Sequence, residues 1–206
     1  MYLLWDLFLH LDQHLDVLLQ RFGFEAYIIL FLIIFAETGL VVTPFLPGDS
    51  LLFAAGALAA TRSLNIIILI LLFVTAAITG NTANYFIARS IGLKIIAKNP
   101  RISKKQYLQK TENFYAKYGP ITIILARFVP IVRTFAPFVA GIGRMNLAKF
   151  WFYNLIGAFL WVLSITLTGY FFGNIPAVKN NFSLVVLGII FVSLLPAVIG
   201  LFNRKK

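Results

Sequence analysis

Cysteine is absent from the sequence, which excludes disulfides, thiol nucleophiles and cysteine metal sites and leaves the redox compartment open. Acids are almost as scarce: seven Asp and Glu stand in 206 residues, and only 12% of the chain is charged. A soluble domain of this length needs more polar surface than that. Histidine occurs only at 10 and 14. Catalysis that relies on a histidine base, nucleophile or metal ligand has no such group in the rest of the chain, so an enzyme is not expected. An aspartyl dyad of Glu37 and Asp49 is the remaining catalytic option, and it needs two carboxyls in contact with no arginine between them. His10 and His14, four apart, have no third ligand in view. They read as solvated surface groups, and neither metal nor cofactor is expected.

What fills the chain is apolar. Hydrophobic residues make up 60%, and the mean hydropathy is +0.89. Uninterrupted runs at 66–78 and 182–202 point to an all-α integral membrane protein, with 1–206 as one domain. The net charge of +11 does not point to nucleic acid, because the cations cluster in loops flanking apolar runs. The start, MYLLWDLFLHLDQHLDVLLQ, does not read as a cleavable signal: acids stand where a basic region belongs.

Residues 1–21 place Asp6, His10, Asp12, His14 and Asp16 opposite a leucine face, which predicts an amphipathic helix at the interface. Residues 26–60 carry two apolar limbs around VVTPFLPGD. Each limb is too short to cross ~30 Å of hydrocarbon at 1.5 Å per residue. Pro44 and Pro47 break the helix, Gly48 follows, and Asp49 is expected to cap the second limb. The pattern predicts a re-entrant helical hairpin whose irregular backbone is shielded by protein or lines a wet cavity. Residues 65–89 are long enough to span. Residues 92–118 form a basic loop in which SKKQ at 103–106 fits a capping box. Residues 120–144 repeat the hairpin pattern, with breaks at Pro130 and Pro137 and a half-helix opening at Pro137. Residues 149–173 and 182–202 complete about three spans.

The two hairpins resemble each other. A slide of 90 residues lays FLIIFAETGLVVTPFLP on ITIILARFVPIVRTFAP and matches Ile33/Ile123, Ile34/Ile124, Ala36/Ala126, Val42/Val132, Phe45/Phe135 and Pro47/Pro137. One span separates them, so the second enters from the side opposite the first. This is the inverted repeat of many transporters. The same parity puts the basic loop and the tail at 204–206 on one side, and Arg62 and Lys179 on the other. The heavier basic face is then cytoplasmic.

Four charges lie inside the hairpins: Glu37, Asp49, Arg127 and Arg133. At about 2.5–3.5 kcal/mol each near a bilayer centre, leaving them unpaired costs on the order of 10 kcal/mol. One reading is a pair of salt bridges that only locks hairpin to hairpin. Against it, apolar residues pack as well as a buried ion pair. The other reading gives Arg127 and Arg133 a phosphate or similar oxyanion, held by guanidinium forks and a helix N-terminus. Glu37 and Asp49 then carry protons, since burial and the arginines act on them in opposite directions. Asn81 and Asn84 are candidates to line the same cavity, or are interhelical ties. Gly56, Gly169 and Gly173 read as close-packing sites, and Trp5, Trp151 and Trp161 as interface or packing residues.

The stretches ETGLVVTPFLPGDSLLFAAGALA, ARFVPIVRTFAPFVAGIGRM, YNLIGAFLWV and GYFFG resemble the DedA family of bacterial inner-membrane proteins, within the SNARE-associated or VTT-domain superfamily. The resemblance implies paired inverted re-entrant hairpins and lipid translocation. Relatives are associated with recycling undecaprenyl phosphate or with phospholipid scrambling, and others with proton-dependent transport, envelope integrity and tolerance of alkaline pH or drugs. It also implies that Glu37, Asp49, Arg127 and Arg133 are the functional acids and arginines. Many relatives place Asp where GNTANYFIAR has Asn81. The expected function is a flippase for an anionic lipid head group, coupled to protons, in the inner membrane. The alternative is a proton-coupled exporter of small solutes or ions. The partners expected are an anionic lipid and protons, with a homo-oligomer left open.

Overall fold

The computed structural model describes residues 24–40, 48–61, 64–92, 119–179, 181–182, 184–185 and 187–189. The helix expected at 1–21, Trp5, Pro44 and Pro47, almost all of the basic loop, most of the span at 182–202 and the C-terminal tail lie outside them. Among the described residues the structure is helical throughout, without strands.

The first hairpin region supplies α1 (Glu25–Gly39) and α2 (Gly48–Ala60). The long helix α3 (Ile66–Ile87) begins where the Asn65 side chain accepts from the amides of Ile67 and Ile68, at 2.9 and 3.2 Å. It runs on into a π-helical turn, Ala88–Gly92. The second hairpin region supplies the short α4 (Thr122–Ala126) and α5 (Pro130–Ile142). Asn146 then starts α6 (Leu147–Phe172) by accepting from Ala148 and Lys149, at 3.0 and 3.2 Å. A single turn, α7 (Pro176–Lys179), follows. Ile66–Ser90 and Leu147–Phe172 are long and apolar enough to cross a membrane. Both keep large apolar side chains exposed, among them Ile67, Leu71, Phe152 and Leu160, as a surface against lipid requires.

The four limb helices α1, α2, α4 and α5 pack on the long ones in a crossed pattern. The first limb of each region lies on the long helix that follows it, α1 on α3 and α4 on α6. The second limb lies on the other long helix, α2 on α6 and α5 on α3. The limbs α1 and α2 barely touch each other. The two limbs of the first region are therefore spread over two long helices rather than packed on each other. Between α3 and α6, Tyr85 near the end of one stacks on Phe150 near the start of the other, with ring centroids 4.6 Å apart. The two long helices are thus antiparallel.

Glycine permits these approaches. A Cβ on Gly39 would meet the Gly80 backbone at 3.2 Å, which closes α1 on α3. Gly56 lies on the backbone of Thr166 and Tyr170, and Gly169 on that of Phe53, which closes α2 on α6. The close-packing role read for Gly56, Gly169 and Gly173 holds, since Gly173 lies against Ala57.

Two expectations about the breaks need correction. Pro137 does not open a half-helix; it lies inside α5. The break falls at 127–129, where Val129 is extended (φ −124°, ψ 105°) as a residue before proline prefers, and Pro130 takes the first helical position, where its missing N–H costs nothing. Inside α5, Pro137 cannot donate to the Arg133 carbonyl. Asn84 of α3 donates to the adjacent Thr134 carbonyl at 2.8 Å, a contact from a neighbouring helix of the kind that accommodates proline in buried helices. The repeat register also shifts. Gly48 and Pro130 start the second limbs at an offset of 82 (130 − 48), and Ile66 and Leu147 start the long helices at 81 (147 − 66). The first limbs end at Gly39 and Ala126, an offset of 87 (126 − 39). The offset thus falls from 87 between the first limbs to 82 between the second, so no single slide of 90 carries through.

Candidate functional site

The charges at the helix breaks converge. Glu37 sits near the end of α1 with 0% exposure, Asp49 in the first turn of α2, and Arg133 in the first turn of α5. Arg133 divides its guanidinium between the two acids. Nη1 donates to Asp49 Oδ1 at 2.7 Å, and Nη2 bonds and ion-pairs with Glu37 Oε1. An arginine therefore stands between the carboxyls, the arrangement an aspartyl dyad cannot have. Asp49 is the second residue of α2, inside the turn rather than at the cap position expected for it. Its carboxylate faces Arg133 and Trp161, and a helix N-terminus favours it there.

Gly48 is more than a helix breaker. A Cβ there would collide with the Glu37 carboxylate, so its bare backbone makes the space in which that carboxylate meets the start of α2.

Trp161 of α6, 1% exposed, braces the same cluster. Its Nε1 donates to Asp49 Oδ1 at 2.9 Å, and Arg133 Cζ lies 4.9 Å from its ring centroid. That is a cation–π contact in a desolvated setting. The reading of Trp161 as interface or general packing is too bland; its place in the middle of a 26-residue helix, far from either end, was the signal. Trp151, near the start of α6 and half exposed, does fit an interfacial residue.

Arg127 is 2% exposed and caps α4. Its partners are neutral: Asn154 Oδ1 at 2.5 Å, and the carbonyls of Asn154 and Ala77 at 3.4 Å each. Among the described residues no carboxylate ion-pairs with it. Asn154 is the second residue the sequence reading missed, although an amide deep in an apolar helix is the kind of group that marks an interior contact.

Asn81 and Asn84 join the same interior. Asn81 Nδ2 donates to Asn154 Oδ1 at 3.1 Å; with the amide turned over, its oxygen accepts from Arg127 at 3.0 Å and its nitrogen donates to the Thr38 carbonyl at 3.3 Å. Asn84 ties α3 to α5 through Thr134. In this structure both are buried interhelical ties. Among the described residues no group of three or more His, Asp or Glu could hold a metal.

These features define a class: a helical membrane protein whose interior, between two membrane-length helices, holds acids and arginines gathered from broken helices. Comparison with known proteins places it further. The VTT domain family model matches residues 46–171. The chain is 56% identical over 208 residues to Protein DedA of Escherichia coli strain K12, covering 100% of this chain and 95% of that protein. It is 45% identical over 172 residues to an uncharacterized membrane protein of Mycobacterium tuberculosis, covering 82% and 75%. It is 36% identical over 151 residues to inner membrane protein YqjA of Escherichia coli strain K12, covering 73% and 69%. No solved structure matches. The chain is a membrane protein that belongs to the DedA family.

Proposed function

We propose that this protein moves the head group of an anionic lipid, a polyprenyl phosphate or a phospholipid, across the bacterial inner membrane in exchange for or together with protons. The observation that carries the reading is the meeting of Glu37, Asp49 and Arg133 at three helix ends inside the protein, with Arg127 buried nearby on neutral partners. Charges placed so deep in an apolar bundle mark a substrate path more often than a brace. Arginine forks suit a phosphate, and the paired carboxyls suit proton exchange when that phosphate displaces them. No bond is made or broken in this scheme, so it is transport and not catalysis.

Two hairpins inserted from opposite faces are part of the proposal, and the crossed packing of limbs on long helices supports a two-fold relation between them. Sidedness follows from charge. Arg89, Arg144 and Lys149 are exposed around the end where α3 meets the start of α6, the same end that parity gives the basic loop. That end is assigned to the cytoplasm, together with the C-terminus.

The test is reconstitution in liposomes, following outward-exposed lipid phosphate with and without a pH gradient. The wild type is expected to accelerate exposure in a gradient-dependent way. Arg127→Ala, Arg133→Ala, Glu37→Gln and Asp49→Asn are each expected to lose most of the rate, about tenfold or more for a lost charge-assisted contact. Normal rates in all four variants defeat the proposal. A gradient-driven flux of a water-soluble ion with no lipid movement replaces it with the small-solute reading.

A further inference from the structure

Of the two arginines, Arg133 is held by charges and Arg127 by dipoles. The carboxylates of Glu37 and Asp49 both go to Arg133. Arg127 has Asn154 Oδ1 and two backbone carbonyls. Asn154 is itself fixed. It is 0% exposed, and its Nδ2 donates to the Ile78 carbonyl at 3.2 Å and to Thr82 Oγ1 at 3.5 Å. These two donated bonds turn the opposite end of the amide, Oδ1, toward the guanidinium.

Three residues on, and so on the same face of α6, Gly157 makes room for the arginine. A Cβ there would lie 3.0 Å from Arg127 Cδ and 3.1 Å from Nε. Nε is buried with no partner. One turn of α6 thus supplies both the acceptor and the slot. Every hydrogen-bond partner of Arg127 among the described residues is uncharged.

We propose that Asn154 is a positioning residue for Arg127: a neutral amide that holds the guanidinium in the helical interior without cancelling its charge, leaving that charge to an anionic head group. A phosphate that approaches Arg133 must displace carboxylates, whereas at Arg127 it competes only with amide dipoles. An aspartate at 154 has the same shape and would form an ion pair at Oδ1, so it would fill the site that the phosphate needs. This inference rests on the proposed function and names the residue that keeps one of its two cations available.

The experiment compares the wild type with Asn154→Asp, Asn154→Gln and Asn154→Ser as full-length protein in detergent. It reads the rise in unfolding temperature produced by short-chain phosphatidic acid or by inorganic phosphate. Asn154→Asp is expected to fold with at least wild-type stability and to bind phosphatidic acid about tenfold more weakly or worse, a loss of ~1.4 kcal/mol. Asn154→Gln, which keeps a neutral acceptor, is expected to bind better than the isosteric aspartate. A residue that only packs predicts the opposite order, because aspartate fits the space and glutamine does not. Equal binding by the wild type and Asn154→Asp, or aspartate above glutamine, overturns the inference alone. Should the aspartate variant fail to fold, Asn154→Ser decides: weakened binding supports positioning, and wild-type binding overturns it. Stabilisation by inorganic phosphate but not the lipid, lost in Asn154→Asp, supports the role of Asn154 while shifting the ligand to a soluble anion. No stabilisation of the wild type by either compound overturns the proposed function and this inference with it.

Discussion

Arg133→Ala is expected to destabilise the protein by about 3–5 kcal/mol and to abolish the proposed lipid movement. The cause is what the substitution leaves behind. Glu37 is 0% exposed, and Arg133 is its ion-pair partner among the described residues; Asp49 loses the same cation and keeps the Trp161 N–H. Two carboxylates facing each other without the intervening guanidinium must repel, take up protons or drag water inward. Arg133→Lys cannot repair this, because Arg133 reaches the two acids with two different nitrogens and an ammonium is a single point. The decisive comparison is a neutral set, Arg133→Met with Glu37→Gln and Asp49→Asn. Uncharged groups of similar volume are expected to recover most of the lost stability and none of the transport. Thermal unfolding in detergent and flux in liposomes read the two effects separately. Recovery of both would mean that the charges only brace the hairpins.

Gly169→Val is expected to be nearly as damaging, from a residue without charge. A Cβ at Gly169 falls on the carbonyl oxygen of Phe53, with the Phe53 carbonyl carbon at 2.8 Å and Cα at 2.9 Å. That obstacle is backbone and cannot swing aside, so α2 must move off α6. Overpacking of this kind costs about 1–3 kcal/mol or more. The functional loss should exceed what stability alone accounts for. The same seam sets Asp49 at the head of α2 against Trp161 of α6, eight residues before Gly169, and parting it separates the 2.9 Å bond between them. Leu160→Val on the exposed side of α6 is the control and is expected to leave both unfolding temperature and flux near wild type. Wild-type behaviour of Gly169→Val would contradict the close approach of these helices.

The two long helices and the shorter limbs among the described residues could be read from residue pattern because the pattern has few physical solutions. An apolar stretch of membrane length opened by Asn65 or Asn146 forms a long capped helix, and limbs of half that length around a proline-rich break cannot. The four charges stood out because each is costly where hydropathy places it. What the sequence could not decide was competition between local and tertiary effects. Pro137 reads as a breaker by its lost donor, yet packing against α3 keeps α5 intact around it. The slide of 90 residues does not carry through, because the offset between corresponding helices falls from 87 at the first limbs to 82 at the second. Trp161 and Asn154 were passed over because tryptophan and asparagine in a membrane helix have ordinary packing roles, and only their partners, Asp49 and Arg127, reveal these two as part of the charged interior.

The proposed function depends most on each broken segment returning to the membrane face it entered, the two from opposite faces. The absence of native cysteine makes this directly measurable, since single cysteines can be placed at exposed positions flanking each pair of limbs. In right-side-out vesicles, Phe24→Cys and Thr61→Cys are both expected to react with a membrane-impermeant maleimide. Ile121→Cys and Arg144→Cys are both expected to react only after permeabilisation. Labelling that splits either pair across the membrane, or puts both pairs on one side, would contradict the account.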